Sequence, residues 1–205
     1  MANSDMQSTK VFPNWGTRQL ILASQSPRRK QLIEMLELPF CVRPVDCDEN
    51  WPSHLTGSDI PRHVSELKAC ACLANSSVDP KQDVVLTSDT VVQLDGATLE
   101  KPCDAQDATR MLKLLSNRTH EVTTAFTLAH QGKMETYHDT VAVTFMPLSD
   151  ALIARYVASG EPMDKAGGYG AQDLIGATGI RRLEGSFYTV MGLPMHMVFD
   201  ALQRI

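Results

Sequence analysis

Segments typical of strands and of helices alternate along this chain, and hairpin turns interrupt the alternation. Residues 19–23 form a short apolar run suited to a buried strand, and a helix is predicted to follow with Ser26 as its N-cap and Pro27 in its first turn. An Asp-Gly pair at 95–96 and a short turn at 131–133 join further strands as hairpins. The pattern therefore predicts an α/β fold in which helices flank a mixed β-sheet, rather than a purely parallel one.

Capping residues and the spacing of apolar side chains predict the other elements. Asp59, Asp104 and Ser149 are placed to cap three helices, and Pro194 is placed to open the last one. The stretch at 164–192 is rich in glycine and is predicted to be loop with short strands. The remaining predicted ranges are a strand running into a loop at 39–61, helices at 60–75, 104–116 and 149–158, and strands at 84–92, 98–99, 119–130 and 134–146.

The length and composition suit one folded domain. A chain of 205 residues, 43 % of them apolar and 21 % charged, is long enough for a packed core and unlike disordered or fibrous sequences. Residues 1–16 are polar and contain Pro13 and Gly16 as breakers, which predicts a loose N-terminal tail that packs weakly if at all. Residues 17–205 are predicted to form a single domain.

The sequence lacks the signals of a membrane or secreted protein. No stretch approaches the roughly 18 uninterrupted apolar residues of a membrane span, and residues 1–16 lack the basic start and apolar block of a secretory signal. The five cysteines follow neither a C-x-x-C nor a zinc-ligand spacing, so reduced thiols are expected rather than disulfides or structural zinc. A cytoplasmic protein with no membrane partner is expected.

The overall charge argues against polyanionic partners. Lys and Arg total 19 against 24 Asp and Glu, which gives a net charge of −5. A surface with this balance is a poor partner for a nucleic-acid polymer or an anionic membrane. Any small anionic ligand would need a local basic site.

One such basic site is predicted where the first strand meets the first helix. Ser24 and Ser26 stand there beside three consecutive cations at 28–30. A helix N-terminus offers unpaired N–H groups and a partial positive charge, which suits phosphate, whereas cations in the first turn oppose the helix dipole. A bound anion would relieve that conflict. The alternative is a capped helix with solvated arginines.

A second candidate is Asp89, which interrupts a run of apolar and β-branched residues at 86–92. A carboxylate in such a run is costly to bury unless it is paired, protonated or bound to a metal. Asp89 is therefore predicted to be a site residue at the end of a strand. The alternative is a strand exposed on one face, with Asp89 pointing to water.

Other candidates are weaker when taken alone. Lys101 precedes Pro102, which favours extended backbone and so fixes the direction of the lysine. A solvated lysine is the alternative. Glu49 and Lys68 stand in a predicted loop and a predicted helix, and such residues are usually on the surface.

The glycine-rich loop at 166–170 is a further candidate, because small residues allow a ligand to approach the backbone closely. Asp164, Lys165 and Gln172 flank it and offer charge and a side-chain amide. The loop has neither the P-loop spacing nor the dinucleotide-binding fingerprint. A turn that merely packs tightly is the alternative.

Taken together, these blocks resemble the Maf family of nucleoside triphosphate pyrophosphatases, and the resemblance runs from about residue 20 to residue 202. Four blocks in the same order make it specific. They are Leu22-Ala23-Ser24-x-Ser26-Pro27-Arg28-Arg29, Ser88-Asp89-Thr90-Val91-Val92, Leu99-Glu100-Lys101-Pro102, and Ser159-Gly160-Glu161-Pro162 through Gly170-x-Gln172.

The resemblance implies an activity and an architecture. The activity is hydrolysis of a nucleoside triphosphate between the α and β phosphates, which gives the monophosphate and pyrophosphate with the help of Mg²⁺ or Mn²⁺. The architecture is an elongated, two-lobed, ITPase-like α/β structure with the nucleotide in a central cleft. A homodimer is an expectation at the level of the family.

The resemblance also implies roles for particular residues. Asp89, Glu49 and Lys101 fall on catalytic positions, and the aspartate of this block is taken as the proton acceptor in the family. The chemistry also suits Asp89 and Glu49 as ligands of the metal, and the sequence leaves open whether Asp89 is the base, a metal ligand or both. The other residues fall on substrate-binding positions, and among these Arg28, Thr90 and Gln172 are associated with substrate choice. The substrate-binding set is Ser24, Ser26, Arg28, Arg29, Lys68, Thr90 and Gln172.

Gln172 resembles the branch of the family that prefers dTTP, UTP and modified pyrimidine nucleotides, since a side-chain amide can pair with the O4/N3 edge of a pyrimidine. The sequence departs from the family pattern at Gln25 and at 186–189, and these departures bear on fine base specificity. A 7-methyl-GTP pyrophosphatase is one alternative. A nucleotide-sensing regulator of cell division without essential turnover is the other.

Overall fold

The computed structural model describes residues 11–12, 15–75, 77–79 and 81–205. Within these ranges a seven-stranded sheet runs in the order β2-β1-β3-β5-β6-β7, with β4 paired to β3 outside this path. The strands are β1 (Leu20–Leu22), β2 (Phe40–Val42), β3 (Val84–Leu94), β4 (Ala97–Leu99), β5 (Thr119–His130), β6 (Lys133–Phe145) and β7 (Ile180–Glu184).

The sheet contains both parallel and antiparallel pairs of strands. β2, β1 and β3 are parallel, whereas β4, β5, β6 and β7 join antiparallel to their neighbours. Helices connect the parallel strands, and tight turns join β3 to β4 and β5 to β6. The predicted mixed α/β sheet with flanking helices is therefore confirmed.

The helices follow the predicted caps with one exception. Ser26, Asp104 and Ser149 each accept a backbone N–H of the first helical turn, as predicted. Asp59 was predicted to be a cap, but it is the first helical residue and Ser58 precedes it. The helices are α1 (Pro27–Glu34), α2 (Asp59–Leu73), α3 (Ala105–Leu115), α4 (Asp150–Ala158), α5 (Leu174–Gly179), α6 (Phe187–Met191) and α7 (Met195–Gln203).

The glycine-rich stretch at 164–192 contains more helix than predicted. It holds α5 and α6 as well as β7, and it overlaps two 3₁₀ turns at Glu161–Asp164 and Ala166–Gly168. Short helices of this kind depend on packing against the rest of the fold, and a local pattern does not predict them well.

Three hydrophobic clusters form the core of the described residues, and two of them lie at opposite ends of β3. Leu86 and Phe126 belong to one cluster, and Val92 and Val122 belong to the other. Strands β3 and β5 run through both, and the polar stretch 87–90 of β3 lies between them. This arrangement confirms the predicted two-lobed architecture, with the polar segment at the junction of the lobes.

One edge of β3 is covered by two short strands with a space between them. β1 pairs with β3 as far as Leu86, and β4 pairs with it from Val92, whereas β5 covers the opposite edge along residues 85–93. Residues 87–91 therefore face the space between β1 and β4 on that edge.

The described part of the N-terminal segment packs more tightly than predicted. Phe12 and Trp15 are buried in the first hydrophobic cluster, and Phe12 meets Phe199 of α7 edge to face at 5.2 Å between ring centroids. The expectation of weak packing is wrong at these two residues, because their aromatic rings cover the end of the core. Residues 1–10, 13 and 14 of the predicted tail, including Pro13, lie outside the described residues.

The structure also describes the state of the cysteines and the character of the helices. All five cysteines lie within the described ranges and are free thiols, as expected. Among the described residues, no helix has the length and apolar character needed to cross a membrane.

Candidate active site

A cavity of about 440 Å³ lies beside the space on the edge of β3. Every residue predicted for the site lines it, although the residues come from six separate parts of the sequence. They are Ser24, Ser26, Arg28, Arg29, Glu49, Lys68, Asp89, Thr90, Lys101 and Gln172. The fold therefore brings together all the candidate residues that the sequence keeps apart.

Lys68 joins the two candidate carboxylates. Its Nζ lies 2.9 Å from Asp89 Oδ1 and 2.9 Å from Glu49 Oε2. Lys68 and Asp89 are largely buried, whereas about half of the Glu49 side chain is exposed. The helix α2 presents Lys68 toward β3, so a residue that seemed typical of a helix surface is a buried part of the site.

Asp89 lies in the middle of β3, not at the end of a strand as predicted. Its neighbour Thr90 points to the opposite face of the sheet, because side chains alternate along a strand. Both nevertheless reach the cavity, since the edge of β3 is open between Leu86 and Val92. A break in strand pairing thus creates the opening that a strand end was expected to provide.

The N-terminus of α1 reaches the cavity with its cap in place. Ser26 Oγ accepts the N–H of Arg29, and Ser24 Oγ accepts the N–H of Ser26 at 3.1 Å. Arg28 Nη1 forms a 2.8 Å ion pair with Asp164 Oδ2 across the cavity. The helix is capped, as the alternative interpretation required, and its basic first turn also lines the site.

The Arg29 guanidinium is hydrogen-bonded to other groups of the protein. Its guanidinium donates to the carbonyl oxygens of Gly192 and Ser88 at 2.9 and 2.8 Å, and to Thr90 Oγ1 at 3.1 Å. Burial lowers its pKa from the usual value, although the nearby Asp89 charge acts in the opposite direction. These bonds give Arg29 a positioning role at the open edge of β3, and its predicted part in substrate binding stays a prediction.

Lys101 and Gln172 lie at the exposed rim of the cavity. Lys101 follows β4, and the carbonyl of Glu100 accepts the N–H of Gly167 at 3.0 Å, which ties the segment after β4 to the glycine-rich loop. The φ angle of Gly167 is +68°, and an added Cβ would lie 3.0 Å from Val92. This glycine therefore lets the loop approach the strand closely.

Lys165 is a buried cation that the sequence analysis mentioned only as a flanking charge. Its side chain is 5 % exposed, and Nζ lies 2.8 Å from Asp164, 3.1 Å from Glu161 and 3.3 Å from Asp173. Burial raises the pKa of Asp164, but the hydrogen bonds from Lys165 and Arg28 outweigh that effect and hold the pKa below its usual value. Its place within the glycine-rich block is the signal that could have identified Lys165.

The same network reaches the backbone beside Gln172. Tyr156 of α4 donates to Asp173 Oδ2 at 2.7 Å and accepts the N–H of Gly170 at 3.2 Å. Arg28 therefore connects through Asp164, Lys165 and Asp173 to Tyr156. These charged contacts fix the loop that carries Gln172.

One part of the cavity wall is apolar. Val92 and Val122 are paired across β3 and β5 on the face that carries Thr90, and the loop and α6 complete the wall. Ala166, Tyr169, Val190 and Met191 are further apolar residues that line the cavity. Carboxylates and lysines therefore occupy one region of the cavity, and an apolar surface occupies another.

Tyr169 connects this wall to a buried histidine. His120 is 2 % exposed, and its Nε2 lies 2.6 Å from the Tyr169 hydroxyl. Its Nδ1 has no hydrogen-bond partner within the described part of the chain. Burial lowers the pKa of His120 to about 4, so the imidazole is neutral at pH 7.

The carboxylate pair fits the divalent metal that the resemblance implies. Mg²⁺ and Mn²⁺ prefer oxygen ligands, and Mg²⁺ is commonly held by one or two carboxylates together with substrate phosphates. Asp89 and Glu49 converge on one point, since both contact Lys68 Nζ. A cluster of three or more His, Cys, Asp or Glu side chains is not found in the described ranges, so the pair would need ligands from the substrate.

Comparison with solved structures gives a weak likeness. A nucleoside-triphosphatase / dITP/XTP pyrophosphatase from Mycobacterium abscessus aligns with a TM-score of 0.41 at 15 % identity, over 62 % of this chain and 72 % of that one. A likeness at this level carries no weight for function.

Comparison of sequences gives much closer relatives. A protein of Cytophaga hutchinsonii named dTTP/UTP pyrophosphatase is 39 % identical over 91 % of this chain and 84 % of its own length. Proteins with the same name from Porphyromonas gingivalis and Bacillus velezensis are 40 % and 41 % identical, over 94 % and 92 % of this chain and 97 % of their own lengths. Residues 19–205 also match the family described as Maf-like protein. The chain belongs to the Maf family.

Proposed function

We propose that this protein hydrolyses dTTP, UTP and related pyrimidine nucleoside triphosphates to the monophosphate and pyrophosphate. The observation that carries the proposal is the convergence of Asp89 and Glu49 on Lys68 within a cavity bordered by further cations. The names of the relatives, which match over nearly their whole length, support the choice of substrate.

The triphosphate binds in the polar region of the cavity. Arg28, Lys68 and Lys101 border this region and supply positive charge for the phosphoryl oxygens. Ser24 and Ser26 each accept a backbone N–H, and each keeps its hydroxyl proton to donate to a phosphate oxygen. The N-terminus of α1 adds its partial positive charge.

Asp89 accepts the proton of the attacking water. The oxygen of the water forms a bond to the α phosphorus, the bond from that phosphorus to the oxygen bridging to the β phosphorus breaks, and pyrophosphate leaves. Lys68 holds the Asp89 carboxylate in a fixed orientation. Charge develops on the phosphoryl oxygens during this step, and the cations of the cavity stabilise that charge.

Asp89 and Glu49 would hold a divalent metal, Mg²⁺ or Mn²⁺. When bound, such an ion lowers the pKa of a coordinated water and neutralises phosphoryl charge. Lys68 contacts both carboxylates, so it is placed to balance their charges when they are not bound to the ion.

The base binds against the apolar wall. Val92, Val122 and Val190 offer an apolar surface for a ring, and Gln172 at the rim offers an amide that can pair with the edge of a pyrimidine. An apolar surface with a few polar groups is the usual composition of a site for a small organic ligand.

A panel of triphosphates tests the proposal. Purified protein is incubated with dTTP, UTP, dCTP, CTP, GTP and 7-methyl-GTP, with Mg²⁺ or Mn²⁺ and after removal of metal, while pyrophosphate and orthophosphate are measured separately. We expect pyrophosphate from dTTP and UTP, and only in the presence of a metal. Preferred hydrolysis of 7-methyl-GTP would instead identify the protein as a 7-methyl-GTP pyrophosphatase. Nucleotide binding without turnover would support a nucleotide-sensing protein. A homodimer and a cytoplasmic location stay predictions.

A further inference from the structure

Four groups beside the apolar wall form a chain of hydrogen bonds. Arg29 Nη2 lies 3.1 Å from Thr90 Oγ1, Thr90 Oγ1 lies 2.9 Å from Thr124 Oγ1, and Thr124 Oγ1 lies 2.7 Å from the carbonyl oxygen of Thr189. Thr124 and Thr189 are 0 % exposed. Of the two hydroxyls in this series of hydrogen bonds, the one of Thr90 belongs to a residue that lines the cavity.

The groups at the two ends, the Arg29 guanidinium and the Thr189 carbonyl, fix the direction of every hydrogen bond between them. A guanidinium only donates, and a carbonyl oxygen only accepts. The single proton of the Thr124 hydroxyl must therefore go to the Thr189 carbonyl. The proton between the two hydroxyls must then come from Thr90, because Thr124 has none left to give. Arg29 donates to Thr90, so all the bonds point the same way.

The direction of these hydrogen bonds determines whether the Thr90 hydroxyl donates to a ligand or accepts from it. A hydroxyl has one proton and two lone pairs. The Thr90 proton is used by Thr124 and one lone pair is used by Arg29. One lone pair remains, so toward the cavity Thr90 is an acceptor. It suits an N–H or O–H of a ligand and disfavours an unprotonated phosphate oxygen.

The surroundings of Thr90 indicate which part of a nucleotide it meets. Thr90, Val92 and Val122 share one face of the sheet, whereas Asp89 and Lys68 lie toward the other face. The apolar floor beside Thr90 suits the ring of a base. The hydroxyl therefore faces the edge of the base, and the phosphates lie with the charged residues.

We propose that Thr124, through its bond to the Thr189 carbonyl, fixes Thr90 as a hydrogen-bond acceptor, and that this acceptor selects uracil and thymine over cytosine. The N3 atom of uracil and thymine carries a proton that Thr90 accepts. The N3 atom of cytosine carries a lone pair, which would face the lone pair of Thr90. Thr124 is thus a positioning residue for base choice. This inference rests on the proposed hydrolysis of nucleoside triphosphates.

The test is the Thr124→Val variant, in which the hydroxyl that takes the Thr90 proton is replaced by a methyl group of similar size. The Thr90 hydroxyl is then free to turn and to donate to N3 of cytosine. We measure kcat/KM for UTP and for CTP by pyrophosphate release. The ratio of UTP to CTP should fall by about tenfold or more, since a buried polar site discriminates strongly only while its donor and acceptor pattern is fixed.

Two further variants separate this effect from a general structural one. Thr123→Val removes a buried hydroxyl that is paired with Thr140 at 2.9 Å on the opposite face of the same strand, and it should leave the ratio unchanged. Thr124→Ser keeps the hydroxyl and should retain the ratio of the unaltered protein. If Thr124→Val does not fold, Thr124→Ala removes the same hydroxyl with a smaller side chain.

A modified substrate tests the same contact in the unaltered protein. N3-methyl-UTP lacks the N3 proton, whereas 5-methyl-UTP keeps it and carries an extra methyl group of the same size. The first should be hydrolysed poorly and the second well. Equal hydrolysis of both, or an unchanged UTP to CTP ratio in Thr124→Val, would overturn the inference. Failure of the unaltered protein to release pyrophosphate from any triphosphate would instead overturn the proposed function.

Discussion

Lys68 Nζ lies 2.9 Å from Asp89 Oδ1 in a largely buried position, and this contact joins α2 to the middle of β3. The same ammonium contacts Glu49, which belongs to the loop after β2. A buried cation that is shared by two carboxylates offsets charge that would otherwise be costly to bury. It also fixes the direction of the Asp89 carboxylate, which the proposed reaction requires.

Asp89→Asn should abolish most of the turnover and leave the fold intact. The amide keeps the shape of the side chain but cannot accept a proton from water, so kcat should fall by about 100-fold or more. Pyrophosphate release measures the rate, and thermal unfolding checks the fold. Asp150→Asn is the matched control, because Asp150 is a highly exposed carboxylate of α4. An Asp89→Asn protein with normal kcat would remove Asp89 from its proposed role.

Lys165→Met should destabilise the protein strongly. The substitution leaves Asp173, which is largely buried, without its cation, and a broken buried ion pair costs about 3 kcal/mol. Lys113→Met is the control, because the pair between Lys113 and Asp150 is exposed and should contribute less than about 1 kcal/mol. Denaturant unfolding of the two variants gives both values. Equal losses would show that the network around Lys165 does not stabilise the loop.

Gly167→Ala should cost more stability than Gly132→Ala. Both glycines have positive φ angles, +68° and +77°, so both substitutions strain the backbone by about 1 kcal/mol. Only at Gly167 does the new Cβ meet a neighbour, Val92, at 3.0 Å, whereas nothing lies within 4 Å at Gly132. The steric conflict should add about 1 kcal/mol or more to the free energy lost by Gly167→Ala. A difference near zero would mean that the loop moves away from β3 without cost.

The stability of the protein should fall in mild acid because of His120. Burial lowers its pKa to about 4 in the folded state, whereas an unfolded histidine titrates near its usual 6.5. Between these values the unfolded state binds a proton that the folded state does not, so stability rises with pH in this range and falls as the pH is lowered from 6.5 toward 4. From pH 6.5 to pH 5 the loss from this group should be about 1.6 kcal/mol.

Comparison with His120→Gln isolates that contribution. The variant has no group that titrates at this position, so its unfolding free energy should change less between pH 6.5 and pH 5 than that of the unaltered protein. Denaturant unfolding at both pH values gives the two differences. The same pH dependence in both proteins would show that other groups cause it.

Local chemistry explains which parts of the fold could be predicted. Ser26, Asp104 and Ser149 act as caps through bonds to N–H groups within their own helical turns, so nearby sequence contains the necessary information. The hairpin at 95–96 is also a local feature. The burial of Phe12 and Trp15 depends on α7, which lies almost 190 residues further along the chain, and no local pattern indicates it.

The features of the candidate site can also be separated into those that nearby sequence predicts and those that depend on distant contacts. Asp89 was identified because a carboxylate in an apolar run is costly, and the cavity contains it. Its place in mid-strand was missed because the opening depends on where β1 and β4 end along the edge of β3. The bonds of Arg29 to Ser88 and Gly192, and the directed bond of Thr124, involve partners far apart in the sequence.

The continuity of β3 and β5 through both hydrophobic clusters affects how a ligand enters. The two lobes are joined by the backbone ladders of a single sheet, so a change in their angle would require bending of paired strands rather than rotation about a flexible connection. The width of the cleft is therefore set before a ligand arrives. For the proposed nucleotide substrate, binding would then carry little entropic cost from a hinge closure of the two lobes.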